Sequence, residues 1–128
     1  MIRRVAAVLL TVACSAAPPA SAAAAYRAFR SPTGKLGCAF YSNAEAPPAV
    51  RCDWHGGGDH AVTVGETGRA RRIRVTDTVL DPHAKVLAYG STTAFRKLRC
   101  TSRRSGITCR SVRSGHGFRV SVEKQEVF

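Results

Sequence analysis

The stretch that most restricts this chain is Cys100-Thr-Ser-Arg-Arg-Ser-Gly-Ile-Thr-Cys109. Two strand-like runs meet there across a polar, Gly-containing turn at Ser102 to Gly106. The two cysteines sit close enough to the turn to face each other, which commits the segment to a clipped hairpin. A second turn, Arg113 to Gly117, leads into Phe118-Arg-Val-Ser-Val122, where apolar and polar residues alternate as a strand with one buried face requires. Leu98 to Val122 therefore predicts a three-stranded meander.

Cys38 and Cys52 repeat the device upstream, bracketing Ser42-Asn43 and Pro47-Pro48. Setting aside Cys14 in the N-terminal segment, the remaining cysteines are even in number, as in the disulfide framework of an exported chain. Four cysteines allow three pairings. The local one, Cys38 with Cys52 and Cys100 with Cys109, is expected because each pair flanks a turn. Closing a loop of this length contributes about 3 kcal/mol in the chain-entropy model, a large share of a small domain's stability. A zinc site is the competing use of these residues, but the CxxC pairs and interleaved histidines of such sites are missing. No metal and no cofactor is expected.

The first 25 residues argue for export. Arg3 and Arg4 precede an uncharged apolar run from Val5 to Ala17, and Ala20-Ser-Ala22 offers a small-x-small cleavage site. That is the layout of a secretory signal peptide cut between residues 22 and 26. The run is 13 residues, against ~20 for a membrane-spanning helix, and Pro18-Pro19 ends it. No integral membrane segment is expected after cleavage. Thr11-Val-Ala-Cys14 supports a second reading, a lipoprotein anchored through Cys14. The expected location is secreted, with association to the cell wall.

Residues 26–128 are then one exported domain, able to bury about two-thirds of its unfolded surface. Strands are expected at Tyr26 to Arg30, Leu36 to Tyr41 and Ala49 to Trp54, the last two stapled by Cys38 and Cys52. His55-Gly-Gly-Gly-Asp59 is a connector: it lacks the Lys and Ser/Thr of a phosphate-binding loop. Ala61 to Val64 and Ala70 to Val75 flank Gly65-Glu-Thr-Gly68 as a hairpin whose second strand sets Arg72 and Arg74 opposite Ile73 and Val75, one face cationic and one apolar. Val79-Leu-Asp-Pro82 reads as a turn, followed by Lys85 to Gly90. Ser91 to Ala94 reads as a polar lead into Phe95-Arg-Lys-Leu-Arg-Cys100. No stretch of eleven residues shows 3.6-residue apolar spacing free of Gly and Pro, so the fold class is mostly β: a small, single-domain, disulfide-stapled antiparallel sheet, sandwich or barrel.

The order of motifs Ser31-Pro-Thr-Gly34, Gly37-Cys38, Arg51-Cys-Asp53, Asp77-Thr-Val-Leu80, Val86-Leu-Ala-Tyr-Gly90, Cys100-Thr-Ser102, Gly106-Ile-Thr-Cys109 and Gly115-His-Gly-Phe118 resembles an uncharacterised family of exported actinobacterial domains. The resemblance spans nearly all of residues 26–128 and implies an exported, disulfide-containing domain of unknown function, with no activity attached. Members of that family often carry a third cysteine pair, one near Asp59-His60 and one near Arg74. Both are missing here, so the resemblance implies that the hairpin from Ala61 to Val75 is the least constrained part of the sheet.

Few residues suggest chemistry. His116 lies between two glycines that let a backbone approach a ligand, so it is the candidate ligand contact, although the same glycines serve a tight turn. Asp77 between two threonines is a catalytic acid, an arginine's partner or a turn cap, and Asp53 beside Trp54 has the same options. His55, His60, His83 and His116 admit an exported hydrolase such as a nuclease, yet none sits in a recognisable signature, and no Gly-x-Ser-x-Gly elbow or His-Glu-x-x-His pair is present. No catalytic residue is assigned.

Charge is what asks for a partner. Removing Arg3 and Arg4 from 20 basic residues leaves 18 against 8 acidic, a formal charge of +10. Arginines crowd the second half, and Arg72, Arg74, Arg99, Arg103 and Arg104 are the candidate contacts to a polyanion, since a field of this sign attracts anionic polymers and surfaces. The expectation is a monomeric, non-enzymatic module for anionic extracellular or cell-wall material, with no specific protein partner inferable.

Overall fold

The computed structural model describes residues 5–15 and 24–128. Arg3, Arg4 and the expected cleavage site at Ala20-Ser-Ala22 lie outside the described residues. Residues 5–15 form neither helix nor strand, and Cys14 is exposed and unbonded.

Everything regular in the described residues is strand. β1 (Ala25–Arg30), β2 (Leu36–Ser42), β3 (Ala49–Trp54), β4 (His60–Gly65) and β5 (Arg71–Arg74) pair antiparallel in succession, and β6 (Lys85–Val86) joins β1 in parallel. The first sheet runs β5-β4-β3-β2-β1-β6. β7 (Thr92–Phe95), β8 (Leu98–Arg103), β9 (Gly106–Ser111), β10 (Gly117–Val120) and β11 (Gln125–Val127) make a second, five-stranded antiparallel sheet in meander order. The C-terminal meander expected from the cysteine-clipped turn is its centre.

The two sheets pack face to face as a sandwich because each has one apolar face. Phe29, Cys38, Phe40, Val50, Cys52, Val62 and Val64 of the first meet Leu98, Cys100, Ile107, Cys109, Phe118 and Val120 of the second in one buried cluster. Phe40 is its aromatic hub, with ring centroids 5.3 Å from Phe29 and 5.5 Å from Phe95. Both local disulfides form, Cys38–Cys52 and Cys100–Cys109, each between directly opposed strand residues. One lies on each inner face, and they meet mid-core, with Cys52 Sγ 4.0 Å from Cys109 Sγ. The staples are thus also core volume.

Two local expectations are corrected, and a third is completed. Ser91 to Ala94 is no mere connector: Thr92–Phe95 is the edge strand β7, and an edge strand with one exposed face needs little apolar patterning. The run from Phe95 to Cys100 breaks at a two-residue turn, Arg96-Lys97, where Arg96 takes a φ of 55°; neither residue advertises such a turn. On β5 the faces alternate as expected, but the cationic face lies on the core side. Arg72 is opposite Val62, in the row that continues to Cys52, while Ile73 is opposite Ala61 on the outer face. The core has run out at this edge strand, so its inward residue is free to be long and charged.

Arginines of this kind close both seams of the sandwich. Arg72 Nη2 donates to the Gln125 carbonyl of β11 at 2.7 Å. At the other seam Arg27, on the inner face of β1, donates to the Ala94 carbonyl of β7 and lies 5.2 Å from the centroid of Phe40. Each satisfies a carbonyl on an edge that would otherwise be open to another strand.

Between β5 and β6 the chain crosses from one edge of the first sheet to the other over its outer face. Gly37 makes room for this strap: a Cβ there would lie 2.7 Å from Leu80 Cα. Arg51, on the outer face of β3, clamps it. Its guanidinium bonds Asp53 through Nε and Nη2 at 2.9 and 3.0 Å, Asp77 Oδ1 at 2.8 Å and the Asp77 carbonyl at 2.8 Å, while Asp53 Oδ2 accepts the Val79 N–H at 3.0 Å. The crossing delivers the chain to β7, where the second sheet starts.

Candidate functional site

The strap clamp joins three ionisable groups by direct bonds, Arg51, Asp53 and Asp77, and its chemistry is structural. Burial works against the Arg51 cation, but its bonds to Asp53 and Asp77 outweigh that and raise its pKa above the ordinary value. In turn the Arg51 hydrogen bond and charge hold the Asp77 carboxyl below the usual range. A carboxylate kept ionised by a forked guanidinium is a poor proton donor near neutral pH. Of the options open for Asp77 and Asp53, both sit against an arginine. Arg51 was the missed partner; the alternation in Arg51-Cys-Asp53, opposite in sense to the buried Cys52, was the signal that put both charges on one face.

The other candidates do not converge. Trp54, opposite Leu36 on the inner side, packs on the core, and Asp77 lies beyond the outer face of the same sheet. His116 lies in the connection between β9 and β10, where its Nδ1 is 3.3 Å from the Phe128 oxygen and its backbone N–H donates to Ser114 Oγ at 3.2 Å. His60 pairs with Asp59 at 2.9 Å. His55 follows β3, and His83 is in a turn where its N–H bonds Asp81 Oδ1 at 2.8 Å.

Charge, in contrast, is ordered by the second sheet's register. Cys100, Cys109 and Phe118 point inward, so Arg99, Thr101 and Arg103 of β8, Thr108 and Arg110 of β9 and Arg119 of β10 share the outer face. Arg99 stands directly opposite Arg110, and Thr101, Thr108 and Arg119 form the adjoining row. Thr92 and Thr101 hydroxyls lie 2.7 Å apart in that row. Among the described residues the only acid on this face is Glu126, which is taken up by Lys124 at 2.8 Å and Arg119 at 2.6 Å; both bonds hold its carboxyl below the usual range. Among the described residues no carboxylate lies within ion-pair reach of Arg99, Arg103, Arg104 or Arg110.

The five candidate polyanion contacts therefore divide. Arg99 and Arg103 are on this outer face and Arg104 is in the turn at its end, whereas Arg72 bonds Gln125 and Arg74 bonds Asp59 at 3.2 Å on the edge of the first sheet. Arg110 and Arg119 are the face's further members, legible in principle from alternation about Cys109 and Phe118.

Fold and surface together define a small disulfide-stapled β-sandwich domain with one arginine- and threonine-lined sheet face. Residues 49–128, from β3 to the end of β11, match the model of a family of unknown function (DUF6636), and the chain belongs to that family. No curated protein and no solved structure matches it.

Proposed function

We propose that this domain is a non-enzymatic, exported module that associates reversibly with anionic extracellular or cell-wall polymers through the outer face of its second sheet. The observation that supports this reading is the Arg99–Arg110 pair. Like charges directly opposite each other destabilise a sheet, and no acid offsets them here. A polyanion laid on the face turns that repulsion into attraction and releases its own counterions. Same-face residues on a strand are about 7 Å apart and strands about 5 Å apart, which puts Arg99 roughly 14 Å from Arg103 with Arg110 beside the first. A flexible polymer carrying a charge every few ångströms meets several of them without needing a fixed sequence.

Retention on a soluble polyphosphate or teichoic-acid-like polymer, titrated with salt, tests this. Log affinity should fall linearly with log salt, and Arg99→Ala or Arg110→Ala should each flatten the slope by about one unit. Arg72→Ala and Arg74→Ala, already engaged on the other sheet, should flatten it less. No retention at low salt would remove the reading. Turnover of RNA or DNA that is lost in His116→Ala would replace it with the exported-hydrolase alternative.

A further inference from the structure

Four segments meet at one end of the sandwich: the β1–β2 turn, the stretch carrying Tyr89, the β8–β9 turn and the β10–β11 turn. They enclose an open cleft of about 170 Å³. Lys35, Arg103 and Arg104 line it with three cations, against a single acid, Glu123. Ser31 and Thr33 add hydroxyls that the turn holds in place: Ser31 is 4% exposed, its Oγ lies 3.2 Å from Thr33 Oγ1, and it accepts the Leu36 N–H at 3.1 Å. Arg104 is steadied over the Tyr89 ring at 5.1 Å from the centroid.

The cleft's frame is rigid. Gly106 has a φ of 131°, and a Cβ there would lie 2.2 Å from the Val120 carbonyl oxygen, so the turn bearing Arg103 and Arg104 is pressed onto β10. Ser102, next to Arg103, is tied by both backbone groups to Gly90 and Ser91, and its fully buried Oγ has no hydrogen-bond partner among the described residues.

We infer that this cleft binds one phosphate or sulfate ester group on a small hydroxylated carrier. A tetrahedral oxyanion accepts donors from several directions at once, which suits two guanidinium forks from one turn and an ammonium from another. The volume is below the roughly 300–1,000 Å³ of a drug-sized pocket, so it takes the charged group and a few carbons. The hydroxyls and Glu123 provide partners for the carrier's own hydroxyls. This site stands independently of the polymer-binding face and shares only Arg103 with it.

The test is a backbone-amide NMR titration of the folded, oxidised protein with inorganic phosphate, glycerol phosphate and acetate. Saturable shifts at Thr33, Lys35, Arg104 and Gly106 are expected, with glycerol phosphate binding at least as tightly as phosphate and acetate more weakly. Lys35→Ala and Arg104→Ala, both on exposed turns, should each weaken phosphate binding about tenfold, the scale of losing one charge-assisted contact. Arg110→Ala should not. Shifts confined to the Arg99 and Arg110 face, equal binding of acetate, or an unaffected Lys35→Ala variant would each overturn the cleft, and polymer retention that needs Arg110 while the cleft stays silent would leave the face reading standing.

Discussion

A third bridge can be added between β4 and β5, and the register says how well it should work. His60 of β4 is directly opposite Arg74 of β5. Val75 N donates to the Asp59 carbonyl at 2.8 Å, so the next pair inward, His60 with Arg74, is of the narrow, non-hydrogen-bonded kind. Its Cα atoms are expected about 4.5 Å apart, within the range a disulfide spans. The double variant His60→Cys, Arg74→Cys closes a loop of about 15 residues, worth roughly 3 kcal/mol in the chain-entropy model. Against that stands the loss of the exposed Asp59–Arg74 ion pair, contributing about 0–1 kcal/mol, and of the Asp59–His60 contact. The net gain should be about 2 kcal/mol, or roughly 10–15 °C in melting temperature for a domain of this size. Calorimetry of the oxidised double variant against wild type and the single variants measures it, with thiol titration and peptide mapping to confirm the bond. Free thiols at positions 60 and 74 in a folded protein would refute the register, and a formed bond without a rise in melting temperature would refute the account of this hairpin as the least constrained part of the sheet.

Three further outcomes follow from the strap and the core. Arg51→Ala leaves Asp53 buried without its cation and should cost about 3–5 kcal/mol in urea denaturation; a loss within 1 kcal/mol would mean that the clamp does not hold the strap. The Asp77 carboxyl is depressed by Arg51, and a depressed carboxylate contributes stability that is complete above its unfolded value and lost as pH falls through its folded one. Stability should therefore be flat from pH 7 to 5 and fall below about pH 4, with a smaller fall in Asp77→Asn; equal falls in the two proteins would dismiss the pairing. Phe40→Ala, at the aromatic hub, should cost about 3–5 kcal/mol by the same denaturation assay, and a cost near zero would mean the sheets do not meet there.

The sequence by itself determined the class of fold and its staples. A cysteine on each side of a turn, set in runs of alternating residues, bonds readily when those runs pair as antiparallel strands, and alternation through Leu98 to Val122 then fixes which side chains face inward. Both are local consequences of a two-residue period and a short loop, and they placed Cys38–Cys52, Cys100–Cys109 and the central meander. The edges escaped such reading. β7 and β11 are half-exposed, and the turn at Arg96-Lys97 uses ordinary residues in an unusual conformation, so neither leaves a pattern.

What only tertiary structure decided is which groups separated in sequence come together. Arg51 and Asp77 are 26 residues apart, and nothing in either neighbourhood says that the chain will cross the outer face of the first sheet and bring them into contact. Arg72 looks like Arg99 in sequence, yet one locks a seam to the other sheet, while the other lies on an outer face and bonds only the Arg96 and Leu98 carbonyls beside it. The difference lies in where the core ends, and a core is a property of two sheets facing each other. The cleft among Lys35, Arg103 and Arg104 is of the same kind: its walls come from four turns that share only the end of the sandwich at which folding leaves them.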